Sequence, residues 1–126
     1  MVSLHCPVTP ENRGLIGSRE LSLMKSSAFL INASRGALVD ESSLVDSLVR
    51  RRLAGAALDV TQDEPLPAGH PLLGLEQVIL SPHIAFYSRE SILQLKKQVA
   101  QSVVNILTGN NNVPVANPAV LKLLKD

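Results

Sequence analysis

The stretch AFLINASRGALVDESSLVDSLVRRRLAGAALDV, residues 28–60, contains the order of elements from which the rest of the chain can be read. Ala28-Phe29-Leu30-Ile31-Asn32 is a continuous apolar run too short for a helix, which fits a buried strand. A turn follows at Arg35-Gly36. Asp40 stands where its carboxylate can cap a helix, and Leu44, Leu48 and Val45 give that helix a core-facing side. Arg50, Arg51 and Arg52 close it, at the end where cations suit the helix macrodipole. Ala54 to Val60 is again small and apolar. It reads as a second buried strand, whose small side chains let a helix or ligand approach the backbone.

The pattern repeats on both sides. Val2 to His5 is a short apolar strand that Cys6-Pro7 stops, because Pro7 lacks a donor and biases Cys6 toward extended geometry. Thr9 to Gly14 is turn chemistry, and Ser18 is placed to cap a brief helix through Met24 with Glu20 in its first turn. After residue 60 comes a loop carrying Pro65, Pro67 and Pro71, then a strand at Gln77-Val78-Ile79-Leu80 ended by Pro82. From Ser88 to Leu107, Ile92, Leu95, Val99, Val103 and Ile106 recur at helical spacing, giving an amphipathic helix capped by Ser88 and stopped at Gly109. Asn110-Asn111-Asn112 reads as a polar turn, and Asn117 to Leu124 as a last short helix. Strands alternating with helices predict an α/β fold with a parallel, doubly wound sheet.

Bulk composition narrows the function class. The chain has 126 residues, 12 Lys and Arg against 11 Asp and Glu, 45% apolar and 18% charged residues, which is ordinary for a globular domain. There is no basic excess to neutralise a phosphate backbone, so nucleic acid is not expected as a direct partner. One cysteine, Cys6, excludes an intrachain disulfide and leaves too few thiolates for a structural zinc site, and no metal site is expected. No apolar run reaches the roughly 18 to 20 residues that span a bilayer, and the N-terminus has no signal-peptide pattern. The expected compartment is the cytoplasm, with no membrane partner.

Open parallel sheets bind ligands beyond the carboxyl ends of their strands. The polar residues to weigh are therefore His5-Cys6, Asn32 to Arg35, Asp59 to Glu64, and His83. Singly, Arg35 reads as a solvated turn residue, Glu64 as a loop acid and His83 as a structural histidine. Together, at successive strand ends, they form a set with a shared chemistry. A guanidinium clamps a carboxylate in two parallel bonds. An imidazole beside a carboxylate is stabilised as imidazolium and can donate a proton near neutral pH. That set suits reduction of a 2-oxo acid with hydride from a cofactor.

Four segments carry a family resemblance. Leu4-His5-Cys6-Pro7-Val8-Thr9-Pro10-Glu11-Asn12-Arg13-Gly14-Leu15-Ile16 resembles the strand-loop segment of the D-isomer-specific 2-hydroxyacid dehydrogenases. Leu30 to Asp40 resembles their Arg-Gly segment, Ala56-Ala57-Leu58-Asp59-Val60 with Glu64-Pro65 their Asp and Glu segment, and Ser81-Pro82-His83-Ile84-Ala85 their Pro-His segment. The resemblance implies interconversion of a 2-oxo acid and a D-2-hydroxy acid with NAD or NADP. Arg35 would bind the substrate carboxylate, His83 would be the general acid and base, and Glu64 would orient His83. Asp59 would hold the nicotinamide carboxamide. Cys6, Pro7, Ala33 and Ser34 would line the cofactor groove, with Arg35, His83 and Ala85 beside it. His5 and His70 receive no catalytic role. The wording around Asp59 to Leu73 leans toward the glyoxylate and hydroxypyruvate reductase branch, and the resemblance implies a homodimer.

The resemblance also sets the expected boundaries. Residues 1–86 correspond to the C-terminal portion of a Rossmann-type NAD(P)-binding domain, the second half of its sheet. Residues 87–126 correspond to the long return helix and a segment leading toward a substrate domain. The seven glycines include no G-x-G-x-x-G, so no phosphate loop is prepared within these residues. With a strand beginning at residue 2 and no partner before it, the expectation is a truncated piece of a longer parent. Pro82 to Ser88 is also similar to the C-terminal-binding co-repressors, which keep the fold and NAD(H) but serve as scaffolds. That leaves a binding module, or an inactive remnant, as alternative readings.

Overall fold

The computed structural model describes residues 1–110 and 113–119. Asn111, Asn112 and most of the helix expected at Asn117 to Leu124 lie outside the described residues. Four strands form one parallel sheet: β1 (Val2–Leu4), β2 (Phe29–Asn32), β3 (Gly55–Leu58) and β4 (Val78–Leu80), in the spatial order of the sequence. Leu4 pairs with Asn32, Asn32 with Leu58, and Leu58 with Leu80, so all four carboxyl ends stand in one row. A sheet that grows in a single direction is one wing of a doubly wound arrangement.

Two helices cross over between strands, α1 (Ser18–Leu23) after β1 and α2 (Glu41–Val49) after β2, and they pack on each other. Asp40 caps α2 as expected, accepting the Ser43 backbone N–H at 3.1 Å. Leu44 and Leu48 are buried and Val45 packs at the margin of the core. The cap of α1 differs from expectation. Gly17 is the capping position, and the Glu20 carboxylate reaches back to its N–H at 3.1 Å, so Ser18 is the first helical residue. The first-turn acid closes back on the N–H of the capping residue, while the Gly17 carbonyl accepts the Leu21 N–H at 3.0 Å.

The core is aliphatic and rich in leucine: Leu4, Leu21, Leu30, Leu44, Leu48 and Leu58 are all buried. Its packed face joins the strands to α1 and α2, which is what fixes the row of strand ends. α2 closes with Arg51 in the left-handed region (φ 52°) and with N–H bonds from Arg51 to the Leu48 carbonyl and from Arg52 to the Ser47 carbonyl. The chain divides into two compact units, Met1–Ala85 and Phe86–Asp126. The second contains α3 (Arg89–Leu107), capped by Ser88, whose hydroxyl accepts the Ser91 N–H at 3.0 Å. The expected apolar stripe lies on this helix, but Leu95, Val99, Val103 and Ile106 are all exposed. Among the described residues no helix is long and apolar enough to cross a membrane.

Candidate active site

The loop after β4 is built around one carboxylate. Asp59 follows β3 directly and is 7% exposed. Its Oδ1 accepts the Ser81 hydroxyl at 2.6 Å and the Ile84 N–H at 2.9 Å, and its Oδ2 accepts the Ala85 N–H at 2.9 Å. Burial pushes the Asp59 carboxyl up, but the bonds from Ser81, Ala85 and Ile84, with the His83 charge nearby, outweigh it and hold the group below the usual carboxylate range. The anion thus gathers residues 81–85 into a tight turn. At its centre His83 has φ 55°, a left-handed conformation that costs a side-chain-bearing residue roughly 1–2 kcal/mol. The His83 N–H, shared between the Asp59 and Ser81 carbonyls at 2.8 and 3.0 Å, helps to hold it there. Strain of this kind persists where surrounding bonds over-determine the geometry.

Glu64 comes from the loop between β3 and β4 and meets His83 across it. Glu64 Oε2 lies 2.8 Å from His83 Nδ1, and Glu64 Oε1 accepts the Thr61 N–H at 3.2 Å. The hydrogen bond from His83 is the main cause that lowers the Glu64 carboxyl, opposed by burial and assisted by the Thr61 amide. Because Nδ1 donates to the carboxylate, the Nε2 side of the ring is the side left for chemistry. A cavity of about 360 Å³ opens beside the pair, lined by Asp59, Glu64 and His83 with Leu66, Leu73 and Leu80. A site of polar groups converging on an apolar wall is the usual form of a small-molecule pocket.

Arg35 ends the loop after β2 and is exposed, with one guanidinium N–H donated to the Ser34 carbonyl at 2.7 Å. No side-chain hydrogen bond joins it to His83 or Glu64. Its connection to them runs through the backbone. A Cβ placed on Gly36 would lie 1.9 Å from the Thr61 carbonyl oxygen, so the Arg35-Gly36 turn rests directly on the residue whose amide holds Glu64. Asn32, buried, sets the turn from inside by donating to the Arg35 carbonyl (2.9 Å) and accepting the Ser34 N–H (3.1 Å). Ser34 also donates its hydroxyl to the Leu4 carbonyl at 2.9 Å, which ties the ends of β1 and β2. Cys6 is half-buried against the core, Pro7 accepts a bond from Asn12 at 2.8 Å, and Ala33 and Ala85 are exposed beside their strand ends.

The structure therefore joins Glu64 to His83, gathers the loop containing His83 and Ala85 onto Asp59, and brings the Arg35 turn against Thr61. Gly36, Thr61 and Ser81 were given no role of their own in the sequence reading, although Thr61 falls in the strand-end stretch Asp59 to Glu64 and Ser81 directly follows a strand. Among the described residues no group of three metal-ligating side chains comes together.

A parallel sheet of this order with a histidine–carboxylate pair at its carboxyl edge is a piece of a dinucleotide-binding fold. Residues 1–85 match the NAD binding domain of the D-isomer specific 2-hydroxyacid dehydrogenases, and the chain belongs to that family. It is 42% identical over 123 residues to a glyoxylate reductase from Aeropyrum pernix, covering 98% of this chain and 37% of the relative. Among solved structures it resembles D-lactate dehydrogenase with NAD+ from Lactobacillus jensenii, with a TM-score of 0.84 at 28% identity, covering 90% of this chain and 38% of that one. It also resembles a D-isomer specific 2-hydroxyacid dehydrogenase from Xanthobacter autotrophicus Py2 in complex with NADPH and MES. There the TM-score is 0.74 at 35% identity, with 92% of this chain and 46% of that one covered. The chain thus spans less than half the length of each of these relatives.

Proposed function

We propose that these residues form the acid–base and nicotinamide side of an NAD- or NADP-dependent oxidoreductase that interconverts a 2-oxo acid and a D-2-hydroxy acid, of the glyoxylate or hydroxypyruvate class. The observation that carries the reading is the 2.8 Å contact between His83 Nδ1 and Glu64, with Arg35 at the neighbouring strand end. With Nδ1 committed to Glu64, His83 holds the transferable proton at Nε2. It gives that proton to the substrate's ketone oxygen in reduction and takes it back in oxidation. Glu64 keeps the ring in one orientation and one tautomer. Arg35, exposed and with most of its donors uncommitted to protein acceptors, binds the substrate carboxylate in a bidentate pair.

The donor set fits the nicotinamide half of the cofactor. Asp59 Oδ2 takes one hydrogen bond where Oδ1 takes two, which leaves it an acceptor position for a carboxamide N–H. Cys6, Pro7, Ala33, Ser34 and Ala85 border the same row of strand ends. When bound, the dinucleotide supplies the hydride. The pyrophosphate has no glycine-rich loop among these 126 residues and would be held by other sequence. In this reading residues 1–86 are the C-terminal portion of the nucleotide domain and 87–126 the return helix and the segment after it. The working form is a cytoplasmic homodimer.

Titration of NADH into a longer protein that contains these residues, followed by NADH fluorescence and then by glyoxylate turnover, tests the assignment. A longer protein carrying this sequence should turn over glyoxylate, and His83→Ala should lower kcat by about 10² to 10⁴. Wild-type rates in His83→Ala would remove the reading.

A further inference from the structure

Glu41 is the first residue of α2, and its carboxylate reaches across to the loop between β3 and β4. Its Oε2 accepts the Gln62 backbone N–H at 3.1 Å, and its Oε1 lies 3.2 Å from His70 Nε2. The other ring nitrogen, Nδ1, accepts the Leu72 N–H at 3.3 Å. Nδ1 therefore carries no hydrogen, Nε2 does, and a neutral ring donates to the carboxylate. Gln62 is held a second time, by its side-chain amide on the Val39 carbonyl at 3.0 Å. One carboxylate thus fastens both ends of the segment 62–70, and Glu64 lies between the two fastenings.

These contacts are better sheltered than the pair they flank. The Glu41 and His70 side chains are 13% and 20% exposed, against 38% and 44% for Glu64 and His83. The segment between them has no regular secondary structure to fix it. Each residue left free in such a loop has backbone entropy to lose before Glu64 can stay on His83. Fastening both ends of the segment removes most of that freedom in advance.

We propose that Glu41, acting with His70, is a positioning residue that fixes the 62–70 segment so that Glu64 stays on Nδ1 of His83. The proposal rests on the reading of Glu64 and His83 as the acid–base pair. The contacts themselves do not depend on it. An acid at this position also complements the α2 dipole, but that role alone would alter the helix and leave Glu64 untouched.

The test is a carboxyl-carbon NMR titration of Glu64 in the whole 126-residue chain, with amide exchange read at Thr61, for wild type, Glu41→Ala and His70→Ala. Loss of the fastening should raise the Glu64 midpoint toward the ordinary glutamate value in both variants. Exchange at Thr61 should accelerate about fivefold. Removing the Glu41 charge acts by itself in the opposite direction and would lower the midpoint, so the sign separates positioning from simple electrostatics. His70→Ala leaves the Glu41 carboxylate in place and releases one fastening, so it provides the reading should Glu41→Ala fail to fold. A midpoint that stays put or falls in the folded variants overturns the proposal. Failure of the catalytic reading is a separate result: no glyoxylate turnover by a longer protein carrying this sequence, while the Glu64 midpoint still moves with Glu41.

Discussion

Gly36→Ala is the substitution for which the structure gives the clearest magnitude. The added Cβ would sit 1.9 Å from the Thr61 carbonyl oxygen, 2.2 Å from its carbon and 2.7 Å from the Gln62 nitrogen. All three are backbone atoms, so no side chain can swing away. Opening that contact from 1.9 Å to an ordinary 3.4 Å moves one turn relative to the other by about 1.5 Å. Overpacking of this kind costs about 1–3 kcal/mol. With backbone on both sides the upper figure applies, a large share of the 5–15 kcal/mol typical of a domain. The same shift exceeds what the 3.2 Å bond from the Thr61 N–H to Glu64 can absorb, so Glu64 should lose that partner. Urea unfolding followed by circular dichroism should show a loss near 3 kcal/mol. Gly74→Ala is the control, because a Cβ there meets nothing within 4 Å and the glycine is outside the positive-φ region. It should be neutral or slightly stabilising. A wild-type urea midpoint for Gly36→Ala would mean that the two turns are not in rigid contact, and the coupling argued between Arg35 and Glu64 would fall with it.

Two further outcomes are expected. Arg51→Gly should stabilise the protein by about 0.5–1 kcal/mol, since glycine relieves the left-handed strain of a helix-closing position and gives back part of the gain as unfolded-state entropy; an unchanged or lower melting temperature would refute this. Acid should destabilise the first unit through Asp59 and Glu64. Both carboxyls titrate below their ordinary values in the folded chain, so their contribution is complete above about pH 4.5 and is lost as pH falls through the lowered midpoints. Asp59→Asn should flatten that part of the pH–stability profile, and a profile identical to wild type would count against Asp59 as the anion that holds residues 81–85.

The strands and α2 were legible because they obey local rules. Short buried apolar runs bounded by turns, and an aspartate one residue before an amphipathic stretch, carry their own signal. The α1 cap differs because the helix begins one residue earlier than a capping Ser18 allows: Gly17 takes that position and the Glu20 carboxylate closes on its N–H. The position of Arg51 had no signal, since a left-handed helix end is normally announced by glycine. Asp59 was legible as a candidate site residue but not as the hub of the loop around His83, because its partners lie 22 to 26 residues away. His70 was set aside for a similar reason. Its partner Glu41 is on another element, and periodicity does not report such pairs.

The sequential strand order has a consequence for how the protein is made. Paired residues lie 28 positions apart from β1 to β2 (Val2 and Leu30), 26 from β2 to β3 (Leu30 and Ala56), and 22 from β3 to β4 (Ala56 and Val78). At about 5–20 residues per second, a ribosome takes on the order of one to five seconds over each interval. Small domains dominated by long-range pairings fold in milliseconds to seconds. Synthesis and pairing thus run on overlapping timescales, and each strand has its neighbour already made when it emerges. The growing edge is always the newest strand, and the loop that presents His83 closes only when β4, the last of them, is in place.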